Sequence, residues 1–222
     1  ERIARRIPAA YVLGEAWLGR HRFFVDERVI VPRSFIAELL NAGLRPWIVQ
    51  RASIRSCLDL CTGSGCLAIL AAIAFPRAHV HAADISKAAL QVAKINVVKA
   101  NLEKRVQIIQ SDLFSRIPSG RRYNLIISNP PYVTTREMSR LPPEYRKEPS
   151  ISLVGGPDGL AVVRRIIHKA RRFLTDDGDL VMEIGHNKRT VERAFPHTPF
   201  TWIQTTGGPD MVFLLKASEL PA

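Results

Sequence analysis

The chain has 222 residues, 46% hydrophobic and 23% charged, with 32 Lys and Arg against 20 Asp and Glu for a net charge of +12. That length supports one well-buried α/β core. No run approaches the roughly 18 uncharged apolar residues of a membrane-spanning helix, and no signal peptide precedes the fold, so a cytoplasmic protein is expected. The basic excess attracts nucleic acid and its complexes, with Arg2 to Arg6, Arg20 to Arg22 and Lys169 to Arg172 as candidate patches; such clusters also simply solvate helix faces.

Taken in chain order, residues 16 to 31 read as a β-hairpin, Phe35 to Ala42 as a short helix and Arg45 to Arg55 as a helix or linker. Cys57 to Cys61 (CLDLC) is a short apolar strand that runs into Thr62, Gly63, Ser64 and Gly65, and Cys66 to Phe75 then reads as a buried helix. A strand, a glycine turn and a helix let backbone approach a ligand closely. The GxxxxGK[ST] phosphate loop is lacking, and so is a full GxGxxG, because Cys66, Leu67 and Ala68 follow the second glycine. By itself the turn stays compatible with a dinucleotide fold. The cysteines at 57, 61 and 66 fit neither a disulfide ladder nor a zinc site, so small buried thiols in a reducing compartment and no metal are expected.

The next strand, His79 to Ala83, ends at Asp84, about 20 residues beyond the glycine turn, where a carboxylate takes both hydroxyls of a ribose. Capping of the helix Lys87 to Ala100 by Asp84 or Ser86 is the plainer alternative. A third strand, Val106 to Gln110, ends at Ser111 and Asp112, and Asp112 is placed to accept from an adenine amino group.

The fourth strand, Asn124 to Ser128, opens into Asn129, Pro130, Pro131 and Tyr132. Two prolines remove two N–H donors, so the Asn129 side-chain oxygen and the Pro130 carbonyl face few competing donors and suit a planar NH2 group. Such acceptors stabilise the positive charge that develops on a nitrogen during alkylation, and Tyr132 adds a ring beside the flat group. The alternative is a plain turn. The segment from Val133 to Pro157, with Tyr145, Arg146, Lys147 and Glu148, is long enough to contact substrate or to be a disordered surface loop. Gly159 to Phe173 reads as a long basic helix, Asp176 to Gly178 as a turn before the fifth strand Asp179 to Ile184, and Lys188 to Phe195 as a helix. Phe200 to Thr205 and Met211 to Leu215 form a closing antiparallel pair. The β/α alternation implies a doubly wound, mainly parallel sheet. His168 and His186 are weak candidates for a base; His168 lies on a basic helix facing other cations.

The order DLCTGSG, Asp84, SDLF (111 to 114) and SNPPY (128 to 132) resembles the class I S-adenosylmethionine-dependent methyltransferases that modify the side-chain amide of protein glutamine. VDERVIVPRS (Val25 to Ser34), the cysteine of DLCTGSG and LPPEYRKEPSISLVGGPDGL (Leu141 to Leu160) are most similar to the ribosomal branch, which acts on large-subunit ribosomal protein L-three. The release-factor branch usually has VPRP and DLGTGSG, and NPPY alone is shared with adenine-N6 methyltransferases. The resemblance implies a Rossmann-like sheet of seven strands with the last antiparallel, preceded by a β-hairpin. It implies S-adenosylmethionine held by Asp59, Thr62, Gly63, Ser64, Gly65, Asp84, Ile85, Asp112, Leu113 and Asn129. Substrate would meet Asn129, Pro130, Pro131 and Tyr132, with Asn129, Pro130 and Tyr132 catalytic. It further implies a ribosomal protein as partner, free or in an assembling large subunit, with incidental rRNA contact. Residues 1–50 are expected to be the tail of a missing helical domain and 51–222 the methyltransferase domain. Nucleic-acid adenine methylation, the release-factor substrate and a non-catalytic assembly factor are the alternatives.

Overall fold

The computed structural model describes residues 5–48 and 50–221; Arg2, in the first basic cluster, lies outside them, as does residue 49. A short helix α1 (Ala9–Leu13) leads into an antiparallel hairpin of β1 (Glu15–Leu18) and β2 (His21–Phe24). The hairpin stops at Phe24, short of the expected residue 31, and an irregular segment carries the chain to α2 (Ile36–Asn41). The main sheet holds β3 (Ser56–Leu60), β4 (His79–Asp84), β5 (Val106–Gln110), β6 (Tyr123–Ser128), β7 (Leu174–Glu183), β8 (Thr201–Thr205) and β9 (Gly208–Lys216). Their order is β5-β4-β3-β6-β7-β9-β8. The first five pair in parallel, and β9 runs antiparallel to both β7 and β8. This is the expected seven-stranded, doubly wound sheet.

Alternation along the strands assigns the two faces. Cys57, Leu125, Ile127 and Val181 join one buried cluster with α3 (Cys66–Ala74) and α2. Leu58, Ile126, Leu180 and Met182 join the other with α6 (Ala161–Ala170). The helix α3 is buried nearly all round, which explains why its sequence is apolar without a stripe. The expected long basic helix is α6 followed by a 3-10 turn over Arg171–Phe173. Asp176 to Gly178 lie within β7, not before it: the pairing shifts from Tyr123 with Leu174 to Leu125 with Asp179, so these residues bulge out of the ladder.

The hairpin and the segment that follows it pack on α4 (Lys87–Lys99), with Ala16, Val25 and Val29 against Ala89 and Val92. The hairpin's position is fixed by Asn96, 3% exposed, on the same helix. The Asn96 Oδ1 accepts from the Phe24 N–H at 2.7 Å, while Nδ2 donates to the Phe24 carbonyl at 2.9 Å and to the Ser64 carbonyl at 2.8 Å. One amide thus joins the hairpin, α4 and the glycine turn. Asn96→Ala leaves three backbone groups without these partners and is expected to lower stability by about 1–3 kcal/mol, read from urea unfolding.

Candidate active site

Where β3 ends, Cys61 has φ +59°, Gly63 φ +54° and Gly65 φ +80°, so the chain turns through the left-handed region three times in five residues. Gly65 caps α3 and sits close against Ala93 of α4. A Cβ on Gly63 would meet nothing within 4 Å; its backbone opens onto a cavity of about 280 Å³. Beneath the turn Asp59 is fully buried. Its Oδ2 accepts from Thr62 Oγ1 at 2.5 Å, and its Oδ1 has no hydrogen-bond partner among the described residues. Burial pushes this carboxyl up to about 7, against the pull of the Thr62 hydroxyl.

Asp84 ends β4 beside the turn. Its Oδ2 accepts from the Gly63 N–H and its Oδ1 from the Ser86 N–H, each at 2.9 Å, and burial raises its affinity for a proton. The cap of α4 is Ser86, whose hydroxyl accepts from the Ala89 N–H; Asp84 braces the turn and leaves its remaining lone pairs to the cavity. Ile85, 50% exposed, and Leu113 add apolar wall. Asp112 lines the same cavity and pairs with Arg165 of α6 at 2.7 Å.

The cavity is also lined by Ile30, Pro32, Arg33 and Ser34 from the segment after the hairpin, and by Ile151, Ser152 and Val154 from the segment after β6. Sequence alone marks the segment from Val133 to Pro157 for substrate contact but names none of these residues as part of the site. Both arginines of its wall are paired, Arg33 with Glu148 and Arg165 with Asp112, whereas Asp84 has no cationic partner among the described residues. Hydroxyl-accepting acids, apolar walls and neutralised arginines suit a nucleoside carrying positive charge better than a pyrophosphate.

After β6, Ser128 Oγ donates to the Leu60 carbonyl at 2.8 Å, which fixes the level at which the chain leaves the sheet. Pro130 and Pro131 are buried, and Asn129 is half-buried. Among the described residues nothing hydrogen-bonds to the Asn129 side chain or to the Pro130 carbonyl. Asn129 lines both the first cavity and a second one of about 490 Å³ that also meets Pro130, Tyr132, Glu137, Arg140, Tyr145 and His186. Tyr132 donates to Glu183 Oε1 at 3.3 Å. His168 instead hydrogen-bonds the Arg164 carbonyl of its own helix, and it lines neither cavity.

The segment from Val133 to Pro157 is ordered, contrary to the disordered alternative. Val133 bridges Val154, α5 (Thr135–Met138) begins with a Thr134/Glu137 capping box, and Glu148 is bound by Arg33 at 2.8 Å. Of the expected cofactor residues, Thr62, Gly63, Ser64, Asp84, Ile85, Asp112, Leu113 and Asn129 meet around the first cavity, while Asp59 and Gly65 support the turn from below and behind. Of the expected substrate residues, Asn129, Pro130 and Tyr132 face the second cavity and Pro131 faces the first.

A family model described as a methyltransferase small domain matches residues 44–141. A Thermus thermophilus 16S rRNA N2 G1207 methyltransferase, solved with AdoMet and guanosine, superposes with a TM-score of 0.62 at 16% identity, covering 91% of this chain and 49% of that one. The fold is therefore that of a class I methyltransferase. The ribosomal protein uL3 glutamine methyltransferase of Burkholderia pseudomallei is 53% identical, with 100% of this chain aligned to 74% of the relative; that of Bordetella pertussis is 50% identical, over 99% of this chain and 73% of the relative. The chain belongs to the ribosomal protein uL3 glutamine methyltransferase family. No helix among the described residues is long and apolar enough to cross a membrane.

The buried Asp59 gives a pH test. An acid whose folded-state affinity for protons exceeds its unfolded one contributes stability that is lost as pH rises towards the folded value, here between about 4 and 7. Asp59→Asn removes this pH dependence while still accepting from Thr62, so the melting temperature of the variant relative to wild type should climb across that window and level off above it, by thermal unfolding of the ligand-free protein.

Proposed function

We propose that the protein transfers the methyl group of S-adenosylmethionine to the side-chain amide nitrogen, N5, of a glutamine in ribosomal protein uL3. The observation that carries this reading is the place of Asn129: a side-chain amide in the wall common to two cavities, beside the Pro130 carbonyl, neither with a hydrogen-bond partner among the described residues. When bound, S-adenosylmethionine supplies an electrophilic methyl on a sulfonium that leaves as a neutral thioether. Asp84 would accept from the ribose hydroxyls and Asp112 from the adenine amino group, with Ile85 and Leu113 as apolar wall beside the base. Gly63 lets the backbone approach the donor, and Asp59 holds the turn from below through Thr62.

The glutamine enters from the second cavity. Asn129 Oδ1 and the Pro130 carbonyl accept its two amide N–H bonds, which points the nitrogen lone pair towards the first cavity and stabilises the positive charge that grows there. Tyr132 flanks the flat group, and Pro131, on the first cavity, keeps the loop short of competing donors. No base is needed before attack, since the proton becomes acidic only as the bond forms; orientation and these acceptors supply the rate. The polypeptide is met in the cytoplasm, free or on an assembling large subunit, and the net charge of +12 suits a partner surrounded by rRNA. Residues 1–50 serve as a lead-in to the transferase unit of residues 51–222.

The direct test is labelled methyl transfer to purified uL3 against rRNA and DNA; label confined to nucleic acid overturns the assignment in favour of an adenine methyltransferase, and no label on any substrate favours an assembly factor. Asn129→Ala is expected to cut kcat by about a hundredfold or more with cofactor affinity nearly unchanged. Asp84→Ala is expected to weaken S-adenosylmethionine binding by about 1.5–3 kcal/mol in calorimetry, with the fold retained.

A further inference from the structure

Glu183, the last residue of β7, is 1% exposed and forms no ion pair among the described residues. A buried carboxylate without a cation is costly unless donors surround it. Here the donors come from two distant segments. Ser34 Oγ and the Phe35 N–H donate to Oε2 at 2.6 and 2.9 Å, and Tyr132 Oη donates to Oε1 at 3.3 Å. A proline at position 34 has no hydroxyl to offer. The rest of Tyr132 is also held: its carbonyl accepts from Asn187 Nδ2 at 2.9 Å, and its ring lies so close to Gly185 that a Cβ there would stand 2.6 Å from it. Tyr132 follows the two prolines directly, so its placement sets where the stiff Asn129–Pro131 segment ends. Glu183 lines neither cavity.

We propose that Glu183 is a positioning residue for the transfer: by anchoring the Tyr132 hydroxyl to the Ser34–Phe35 segment it holds Asn129 and the Pro130 carbonyl in register with both cavities. The proposal rests on the glutamine-methyltransferase reading above and extends it to what sets its acceptor geometry. Burial pushes Glu183 up to about 7, against the pull of Ser34, Phe35 and Tyr132 among its donors. Glutamine can replace it: one oxygen accepts from Ser34 and Phe35 while the amide donates to the Tyr132 oxygen. Methionine fills the space and does neither.

The test compares Glu183→Gln and Glu183→Met for transfer to uL3, together with hydrogen exchange of the peptide spanning residues 129–134. Glu183→Met is expected to lower kcat by roughly tenfold or more, with KM for uL3 and cofactor affinity within about threefold of wild type and faster exchange in that peptide. Glu183→Gln should stay near wild type on every readout, and adding Tyr132→Phe to Glu183→Met should cost little more. Wild-type kcat in Glu183→Met, equal losses in both variants, or additive losses with Tyr132→Phe overturn the proposal. If Glu183→Met does not fold, Ser34→Ala and Tyr132→Phe each remove one donor and should lower kcat without moving KM; wild-type kcat in both overturns it. Wild-type protein that leaves uL3 unlabelled overturns the functional reading instead, and the exchange comparison still decides whether Glu183 holds the loop.

Discussion

Parallel pairing of β3 with β4 on one side and β6 on the other is the constraint on which the site depends. Leu60 stands opposite Ala83 and opposite Ser128, and Asp84 opposite Gln110, so four strands, β3 to β6, end at nearly one level on the same edge of the sheet. Cys61, Ser111 and Asn129 follow those ends, and Asp84 closes β4 itself. A slip of one residue in any of these pairings would turn the following side chain to the opposite face of the sheet. The register is reinforced at the edge, where Thr62 N–H reaches the Ala83 carbonyl, Ser111 N–H the Asp84 carbonyl and Ser128 Oγ the Leu60 carbonyl.

That edge supplies one wall of the site; the other is built by segments that have little regular structure of their own. Arg33 and Glu148 join the lead-in to the segment after β6, and Arg33 also lies over the Tyr145 ring at 4.5 Å. Glu148 is almost completely buried, so the pair is held in place as much by the cost of leaving either charge alone as by attraction. The same pairing removes Arg33 as a free cation from the cavity wall, as Asp112 does for Arg165. Asp84 is then the cavity carboxylate without a cationic partner among the described residues, a balance set by where the arginines find partners and not by the overall basic charge of the chain.

The division between two cavities follows from this construction. The first is enclosed by strand ends and the glycine turn, the second by the segment after β6 and the turn after β7, and Asn129 belongs to both. Ile30, Arg33 and Ser152 share the common wall with Asn129, so the two cavities meet along a short common boundary.

The amino-acid sequence by itself determined what short-range chemistry determines. The strand, glycine turn and helix from Cys57 to Ala74, the acids at strand ends and the proline-stiffened Asn129–Tyr132 segment are legible because each is contiguous and its pattern has a local cause: alternation, left-handed turn positions, missing N–H groups. The β/α alternation likewise led to the parallel sheet. Tertiary structure decided which of two uses a legible residue has. Asp84 braces the glycine turn, leaving the cap to Ser86, because the Gly63 N–H arrives from 21 residues away; Asp59 turns under the site and not into it. It also decided what no local pattern carries: Asn96 with Phe24, Arg33 with Glu148, Ser34 with Glu183 and Arg165 with Asp112 join residues 72, 115, 149 and 53 positions apart. Before folding, any of the chain's acids or amides is an equally plausible partner for these groups, and only burial, which penalises every unmatched donor or charge, selects among them.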